Sequence, residues 1–451
     1  MEKNLTQGSV LKNIVLFSLP YLLSYFLQTL YGMADLYIIG QFNGTSQITA
    51  VSIGSQIMHM ITVMIVGLAM GTTVTIGQAT GAKQRKKTAD IIGNTASLFM
   101  AVSIIVTLLL FAARHSIVQV MSTPAEAIAG TTDYLTICFI GIPFITAYNI
   151  ISSIFRGLGD SKSPMYFIAI ACTLNVILDY IFIGSMGFGS AGAALGTVVA
   201  QTVSVIISLF VISKKRHELS LTKQCFQPSR AIINQILRIG IPVSLQDGFI
   251  QISFIIITII VNRRGINDAA AVGIVEKIIC FIFLVPSSML SAVSAISAQN
   301  IGAGKPKRAE QTLWYAIIIC ICFGALISTI VQFTSDSIIA LFDKNPQVIT
   351  LGSQYIKSYI FDCLFAGIHF SFSGYFCVLE KSGFSFIHNS LSIILIRIPG
   401  AYLMSKLFTE TLFPMGLAAT TGSLFSVIIC IIFFLLIKKG DSVHDSTQQF
   451  L

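Results

Sequence analysis

The sequence predicts an all-α integral membrane protein with twelve transmembrane helices in two six-helix bundles. Hydrophobic residues make up 54% of the 451 residues, charged residues only 10%, and the mean hydropathy is +0.83. Soluble domains carry about 25% charged residues, so this composition excludes an ordinary soluble protein. The number of helices and their grouping follow from long apolar runs and from an internal repeat.

Twelve apolar runs are each close to the roughly 20 residues that an α-helix needs to cross a bilayer. Short polar segments separate them and leave no room for a soluble domain. The N-terminal MEKNLTQGSVLKN is a short polar tail without a cleavage site after it, so we expect an uncleaved first helix and no signal peptide. The runs are centred near Leu23, Val63, Ile105, Thr146, Asn175, Val203, Ile252, Phe283, Ile318, Ala366, Leu395 and Ile429.

The net charge of +9 is distributed in a way that predicts membrane topology. Basic residues cluster after every even-numbered apolar run, whereas the opposite loops contain few. Cytoplasmic loops carry this excess of Lys and Arg, so we expect a multi-pass protein of the inner (plasma) membrane with both termini cytoplasmic. The charge then requires no nucleic-acid partner. The basic residues after the even-numbered runs are Lys83, Arg85, Lys86, Lys87, Arg156, Lys162, Lys214, Lys215, Arg216, Lys223, Arg230, Lys305, Lys307, Arg308, Lys381, Lys438 and Lys439.

The two halves of the chain resemble each other at an offset of 221 residues. AVSIG at 50–54 resembles AVGIV at 271–275, and QATGA at 78–82 resembles QNIGA at 299–303. Each repeat has six apolar runs, and an even number gives both halves the same orientation. We therefore expect a pseudo-twofold axis along the membrane normal and a cavity between the halves, which suits a transporter. The predicted parts are an N-lobe at 1–212, a cytoplasmic linker at 213–231 and a C-lobe at 232–451.

Two acidic residues lie inside the apolar runs of the first half. Ionisable side chains there cost about 2.5–3.5 kcal/mol each on insertion scales and are usually functional or paired. Asp35 and Asp179 have no base inside a run of that half, so they must be protonated or bind a cation from solution.

Two neutral side chains accompany these acids and extend the predicted cation site. Asn175 lies one turn before Asp179, and Thr197 lies at a similar predicted depth, so the four side chains offer the oxygen ligands that sodium prefers. A competing interpretation is that Asn175 and Thr197 only join helices by hydrogen bonds.

The second half has buried charges of both signs. Its apolar runs contain three acids and three bases, which can neutralise one another, so structural pairing is the simple expectation. The acids are Asp247, Glu276 and Asp362, and the bases are Lys277, Lys357 and Arg397.

Four stretches of the sequence resemble the multidrug and toxic compound extrusion (MATE) family. They are MADLYIIGQFNG (33–44), QATGAKQ (78–84), FRGLGDSKSP (155–164) and LNVILDYIFIGSMGFGSAGAALGT (174–197). The resemblance extends over essentially the whole chain. It implies a cation-coupled antiporter that exports amphipathic, often cationic compounds.

The resemblance also implies roles for individual residues. The N-lobe cation site of the DinF-like branch matches Asp35, Asn175, Asp179 and Thr197, and polar positions of its cavity match Gln28, Tyr134 and Asn149. The NorM-like branch uses additional acids in spans seven and ten. Asp247 and Asp362 lie in those spans, but their spacing differs, so no C-lobe ion site is assigned and Asp247 is a secondary candidate.

Other functions remain as alternatives. A flippase for lipid-linked oligosaccharides or lipids belongs to the same wider exporter group, although its cavity is expected to be more cationic. A membrane receptor or sensor with a sodium site is a second alternative, but it does not require a six-span duplication. An enzyme is not expected: GLGD at 157–160 resembles a protease motif but lies in a loop, and no zinc motif or P-loop is present.

The expected partners are small-molecule drugs or metabolites and membrane lipid. We expect no cofactor beyond the coupling ion, Na⁺ or H⁺, and a monomer without an obligate protein partner.

Overall fold

The computed structural model describes residues 3–214 and 219–448, with side chains as far as residue 439, and this part of the chain contains helices and no strand. Short 3-10 turns occur at Ala125–Ala127 and Lys223–Phe226, and π-helical turns at Tyr180–Ser185 and Ile393–Arg397. The α-helices are α1 (Val10–Phe42), α2 (Thr45–Gly81), α3 (Arg85–Val120), α4 (Ile128–Gly157), α5 (Lys162–Asp179), α6 (Gly189–Lys214), α7 (Arg230–Asn262), α8 (Ile266–Ile282), α9 (Leu284–Gly302), α10 (Pro306–Ala340), α11 (Pro346–Tyr359), α12 (Asp362–Val378), α13 (Ser382–Ser392), α14 (Ile398–Leu407) and α15 (Phe413–Gln448).

These helices provide twelve membrane spans. Eleven continuous helical segments of the described chain are long and apolar enough to cross a bilayer, and α11 with α12 forms a further span that bends by 40°. Side chains such as Leu108, Phe210 and Leu435 are more than half exposed, as expected for helix faces that meet lipid tails instead of water. The predicted all-α fold class with twelve spans is confirmed.

The chain divides into two compact units. The first unit runs to Ser244 and includes Ser294–Ala309, and the second contains Leu245–Val293 and the chain from Glu310. The predicted lobe boundaries, 1–212 and 232–451 with a linker at 213–231, stay a prediction. Residues 215–218 of that linker lie outside the described residues.

Each unit has its own apolar core. In the first unit, α4 packs against α2, α3 and α6, while α5 packs against α1 and α6. In the second unit, α15 packs against α11, α12, α13 and α14. Large side chains such as Phe139 and Phe155 in the first unit and Tyr355 and Phe376 in the second are fully buried.

In the first unit, the ends of α2 and α9 cross in backbone contact. A Cβ atom on Gly81 would lie 1.9 Å from the carbonyl oxygen of Gln299, and one on Gly302 would lie 2.0 Å from that of Gln78. These four residues are the first and fourth of the repeated motifs QATGA and QNIGA. The repeat therefore provides both sides of the crossing, and only glycine lets the two backbones approach this closely.

The residues before α1 bind to the same region. We call Lys3–Gln7 the N-terminal strap. The backbone N–H of Leu5 donates to Oε1 of Gln299 at 3.1 Å, and the Leu5 carbonyl accepts from Nδ2 of Asn300 at 3.4 Å. Lys305 Nζ donates to the Thr6 carbonyl at 3.0 Å. The side chains around the motif QNIGA thus satisfy backbone groups of a segment that has no helix of its own.

One basic residue differs from its sequence-based placement. Arg156 was expected in a loop after span four, but it lies inside α4 and is buried. Its guanidinium donates to the Tyr21 hydroxyl at 2.7 Å and to the Ser153 hydroxyl at 2.8 Å. The expectation that no base lies inside a span of the first half is therefore wrong, because hydrogen bonds within the helix bundle hold this guanidinium at the end of α4.

We predict that Gly81→Ala destabilises the protein. The added Cβ meets a carbonyl oxygen of the backbone, which cannot move aside like a side chain, so the two helices must separate at a cost of about 1–3 kcal/mol. The measurement is the midpoint of thermal unfolding of the purified protein in detergent, which should fall.

Gly273→Ala is the matched control, since a Cβ atom on Gly273 in α8 meets nothing within 4 Å. Alanine favours a helix interior over glycine by about 1 kcal/mol, so this variant should unfold at the wild-type temperature or above. Equal midpoints for Gly81→Ala and wild type would show that the crossing tolerates a side chain.

Candidate cation site

The first unit brings both predicted acids into a buried position. Asp35 lies on α1, seven residues before its last residue, Phe42, and its exposed fraction is 4%. Asp179 is the last residue of α5 and is fully buried, and Asn175 lies one turn before it with 2% exposed. Thr197 lies on α6, near the start of that helix at Gly189. The side chains thus come from three helices near their ends.

A chain of hydrogen bonds connects three of these side chains. Nδ2 of Asn175 donates to the Thr197 hydroxyl at 3.5 Å, and this hydroxyl donates to Oδ2 of Asp35 at 3.4 Å. The carboxyl group of Asp179 lies close enough to that of Asp35 for a shared proton to join them. The structure therefore brings together all four residues that the sequence analysis assigned to a cation site.

Four oxygen atoms of this cluster are buried without a hydrogen-bond donor from any described residue. They are Oδ1 of Asp35, Oδ1 of Asn175 and both carboxyl oxygens of Asp179. A buried acceptor without a partner costs about 1–3 kcal/mol, and a buried charge costs more. These oxygens fit a small hard cation or one or two protons, because either supplies the missing positive partner.

No base among the described residues neutralises the two acids. The ion pairs among the described residues are Arg264–Asp268 and Lys438–Glu310, both in the second unit. Arg156 is the buried base of the first unit, and it hydrogen-bonds to Tyr21 and Ser153. The described part of the chain also contains no group of three or more His, Cys, Asp and Glu side chains arranged to hold a metal ion. With only two carboxylates, the cluster is suited to a monovalent ion.

Local backbone features position the Asp179 carboxyl. α5 ends at Asp179 and continues as the π-helical turn Tyr180–Ser185, and such turns occur frequently at functional sites. On the facing helix, a Cβ atom on Gly196 would lie 2.2 Å from Oδ1 of Asp179 and 3.6 Å from Nδ2 of Asn175. Glycine at this position leaves the space that the carboxyl group fills.

The three cavity residues that the resemblance implies in the first unit have different surroundings. Tyr134 is buried beside Cys138 in the electrostatic field of Asp35. Gln28 contacts the hydroxyl group of Tyr31 on the same helix. Asn149 is buried, but its Nδ2 donates to the carbonyl of Ile145 in its own helix at 2.8 Å.

Two further polar residues were missed by the sequence analysis. Tyr31 interacts with Asp35, with Gln28 and with Gln201 of α6. Tyr31 lies four residues before Asp35, so the spacing on one helix face was a usable signal. Gln201 lies four residues after Thr197 on α6, and the same spacing applies to it.

The ion pairs expected for the acids of the second half are not observed among the described residues. Among the described residues, Asp247, Glu276 and Asp362 make no ion pair with Lys277, Lys357 or Arg397. Asp247 lies on α7 in the second unit, in the electrostatic neighbourhood of Cys377.

Comparisons with known proteins agree with this architecture. The MatE family model matches residues 20–181 and 242–403, one match in each half of the chain. The probable multidrug resistance protein YpnP of Bacillus subtilis (strain 168) is 31% identical over 432 residues, which are 95% of each chain. The multidrug export protein MepA of Staphylococcus haemolyticus (strain JCSC1435) is 24% identical over 377 residues, 84% of this chain and 82% of that protein.

A solved structure has the same fold. It is described as the outward-facing conformation of a multidrug resistance MATE family transporter of the MOP superfamily, and it aligns over 97% of both chains with a TM-score of 0.90 and 22% identity. One conclusion follows from the family matches in both halves, from relatives that align over most of the chain and from this shared fold. The chain belongs to the multidrug and toxic compound extrusion (MATE) family of membrane transporters.

Proposed function

We propose that the protein is a cation-coupled multidrug antiporter, which exports amphipathic, often cationic compounds in exchange for Na⁺ or H⁺. The observation that carries this proposal is the cluster of Asp35 and Asp179, two buried acids with unsatisfied oxygens and with no base beside them in the part of the chain that the structure describes. Such a cluster is stable only when a proton or a cation from solution occupies it.

The names of relatives support the substrate class. YpnP is named a probable multidrug resistance protein and MepA a multidrug export protein. An acidic cluster also suits competition between a coupling cation and a cationic drug, because both are attracted by the same uncompensated carboxylates.

The proposed coupling follows from the positions of the ligands on three helices. A bound cation joins side chains of α1, α5 and α6 and favours the packing in which these side chains converge. Without it, the bare carboxylates repel each other and favour a different packing, in which Pro20 inside α1 allows that helix to bend. A ligand shifts a conformational equilibrium only by its differential affinity for the two states, and here the differential comes from neutralising the two carboxylates.

The proposal includes an orientation. With basic residues at the exits of the even-numbered spans, we propose that both termini lie on the cytoplasmic side of the plasma membrane. The acids on α1 and α5 then lie toward the outer side, where the inward cation gradient supplies the coupling ion.

We predict that Asp35→Asn and Asp179→Asn each abolish gradient-driven drug efflux. An amide keeps the shape of the side chain but removes the charge, so cation binding should weaken by about tenfold or more. The assay uses proteoliposomes loaded with a fluorescent organic cation. Efflux is measured under an imposed Na⁺ gradient and, separately, under an imposed H⁺ gradient, and the gradient that drives wild-type efflux identifies the coupling ion.

Asp133→Asn is the matched control, since Asp133 is an exposed acid on α4, and it should transport like wild type. Normal gradient-driven efflux by both cluster variants would refute the site assignment. Transport of a lipid-linked substrate without drug efflux would favour the flippase alternative.

We also predict that Gly196→Ala weakens cation coupling without removing any ligand. The new Cβ occupies the space of Oδ1 of Asp179, so the carboxyl group must leave its observed position and the affinity for the coupling ion should fall by about tenfold. The measurement is the cation concentration that gives half-maximal drug efflux.

Gly32→Ala is the control for this steric effect. Gly32 lies on α1 three residues before Asp35, and a Cβ atom there meets nothing within 4 Å. Its half-maximal cation concentration should equal that of wild type. If Gly196→Ala keeps the wild-type value as well, the cation does not use the observed position of the Asp179 carboxyl group.

A further inference from the structure

The second unit contains a buried charged cluster that the proposed cation site does not use. Its members are the side chains of Glu276 on α8, Asp362 at the start of α12 and Arg397 at the end of the π-helical turn before α14. Asp362 is fully buried, Arg397 is 9% exposed and Glu276 is partly buried. Buried charges of this kind are expensive and need a physical explanation.

Aromatic side chains hold the guanidinium of Arg397. Its Nη2 donates to the Tyr359 hydroxyl at 2.6 Å, and its carbon atom Cζ lies 4.9 Å from the centre of the Phe254 ring. Nε has no acceptor among the described residues. These contacts fix the position of the positive charge without using a carboxylate as the direct partner.

The two acids are close enough to respond to this charge but do not contact it. Arg397 acts electrostatically on both Glu276 and Asp362, yet no ion pair within 4.0 Å forms. Oε1 of Glu276 and both carboxyl oxygens of Asp362 are buried without a hydrogen bond of good geometry, although the Ser423 hydroxyl lies beside Asp362. Lys277, which is exposed, also acts on Glu276. Arg397 is therefore the buried positive charge of a cluster with two acids.

The internal repeat relates Arg397 to a residue of the first cluster. FRGLGDS at 155–161 aligns with FCVLEKS at 376–382 at the offset of 221 residues, and Gly159 and Glu380, which correspond to each other, both have positive φ angles of 85° and 57°. The π-helical turn Ile393–Arg397 then adds one residue to the second helix.

After this insertion the offset is one residue larger, in agreement with the two family matches, which end at 181 and 403. Asn175 of the first repeat therefore corresponds to Arg397 of the second. The position of Asp35, before the insertion, corresponds to Ile256, and that of Asp179, after it, corresponds to Ala401. The acids of the second cluster therefore come from other helices of the repeat, α8 and α12.

The same repeat position thus serves two acid clusters in different ways. In the first cluster it carries a neutral amide, and the acids lack a positive partner. In the second it carries a guanidinium, and the acids have one that is covalently part of the chain. In a medium of low dielectric constant, a fixed positive charge strongly opposes the binding of a cation from solution to the acids beside it.

The geometry points to Arg397 as a built-in cation, which occupies the place of a coupling ion in the second unit and prevents Glu276 and Asp362 from binding a small monovalent cation. The inference deepens the proposed function, because it limits the coupling ion to the Asp35–Asp179 cluster. It also predicts a latent cation site that a single substitution opens. The ligands of that latent site differ from those of the Asp35–Asp179 cluster, so cation binding to it can be measured separately.

The test compares cation binding by Arg397→Asn, Arg397→Lys and Arg397→Asn/Asp362→Asn with that of the wild-type protein. Bound Na⁺ per purified protein is measured with radioactive sodium, and proton uptake is measured in parallel at fixed sodium. Arg397→Asn should bind one further Na⁺ or take up one further proton. Arg397→Lys keeps the positive charge and should match wild type, and the double variant should lose the additional ion because it lacks a carboxylate ligand.

An unchanged number of bound cations and protons in a folded Arg397→Asn variant would overturn the inference. If that variant does not fold in the absence of salt, its unfolding temperature should rise steeply with Na⁺ or at low pH, and Asp362→Asn should restore it. Failure of both rescues would also overturn the inference. If the wild-type protein binds no cation, the Asp35–Asp179 site is refuted instead. The additional cation bound by Arg397→Asn would still be measured relative to the wild-type protein.

Discussion

A carboxylate buried among membrane helices needs a proton or a cation, and this requirement explains the arrangement of the first unit. The bilayer offers no water to hydrate the charge, so a bare acid pair opposes the close packing of the helices that carry it. Asp35 and Asp179 are held together by α1, α5 and α6, with Thr197 and Asn175 completing the polar contacts. Among the described residues these acids have no basic partner, and the proposed coupling ion takes that place.

Helices of this unit lie close together at several points, where glycines and a π-helical turn make room. Gly196 makes room for the Asp179 carboxyl group, and the π-helical turn after Asp179 interrupts the regular ladder of the helix. At another place in the unit, Gly81 and Gly302 let α2 and α9 cross, and the N-terminal strap binds to Gln299 and Asn300 beside that crossing. Small residues and local helix irregularities thus decide where helices approach each other.

The two repeats use one helical scaffold with different charge chemistry. The motifs QATGA and QNIGA face each other in one crossing, and this explains why both copies keep a glycine at the fourth position. The acid clusters differ, since the acids of the first lie on α1 and α5, whereas those of the second lie on α8 and α12. A duplicated scaffold can therefore carry an acid cluster without a basic partner among the described residues in one half and an acid cluster with a resident arginine in the other.

The sequence by itself determined the fold class, the twelve spans, the duplication, the family and the four residues of the first acid cluster. These features depend on local apolar length, on repeated motifs and on the high cost of an acid inside a span, all of which can be read from the order of residues. The tertiary structure decided which polar groups share a site. It joined Tyr31 and Gln201 to the surroundings of Asp35, placed Arg156 inside α4 beside Tyr21, and set Arg397 among Tyr359 and Phe254 away from a direct ion pair. Such neighbours come from helices that are distant in the chain, and only their packing determines which side chains meet.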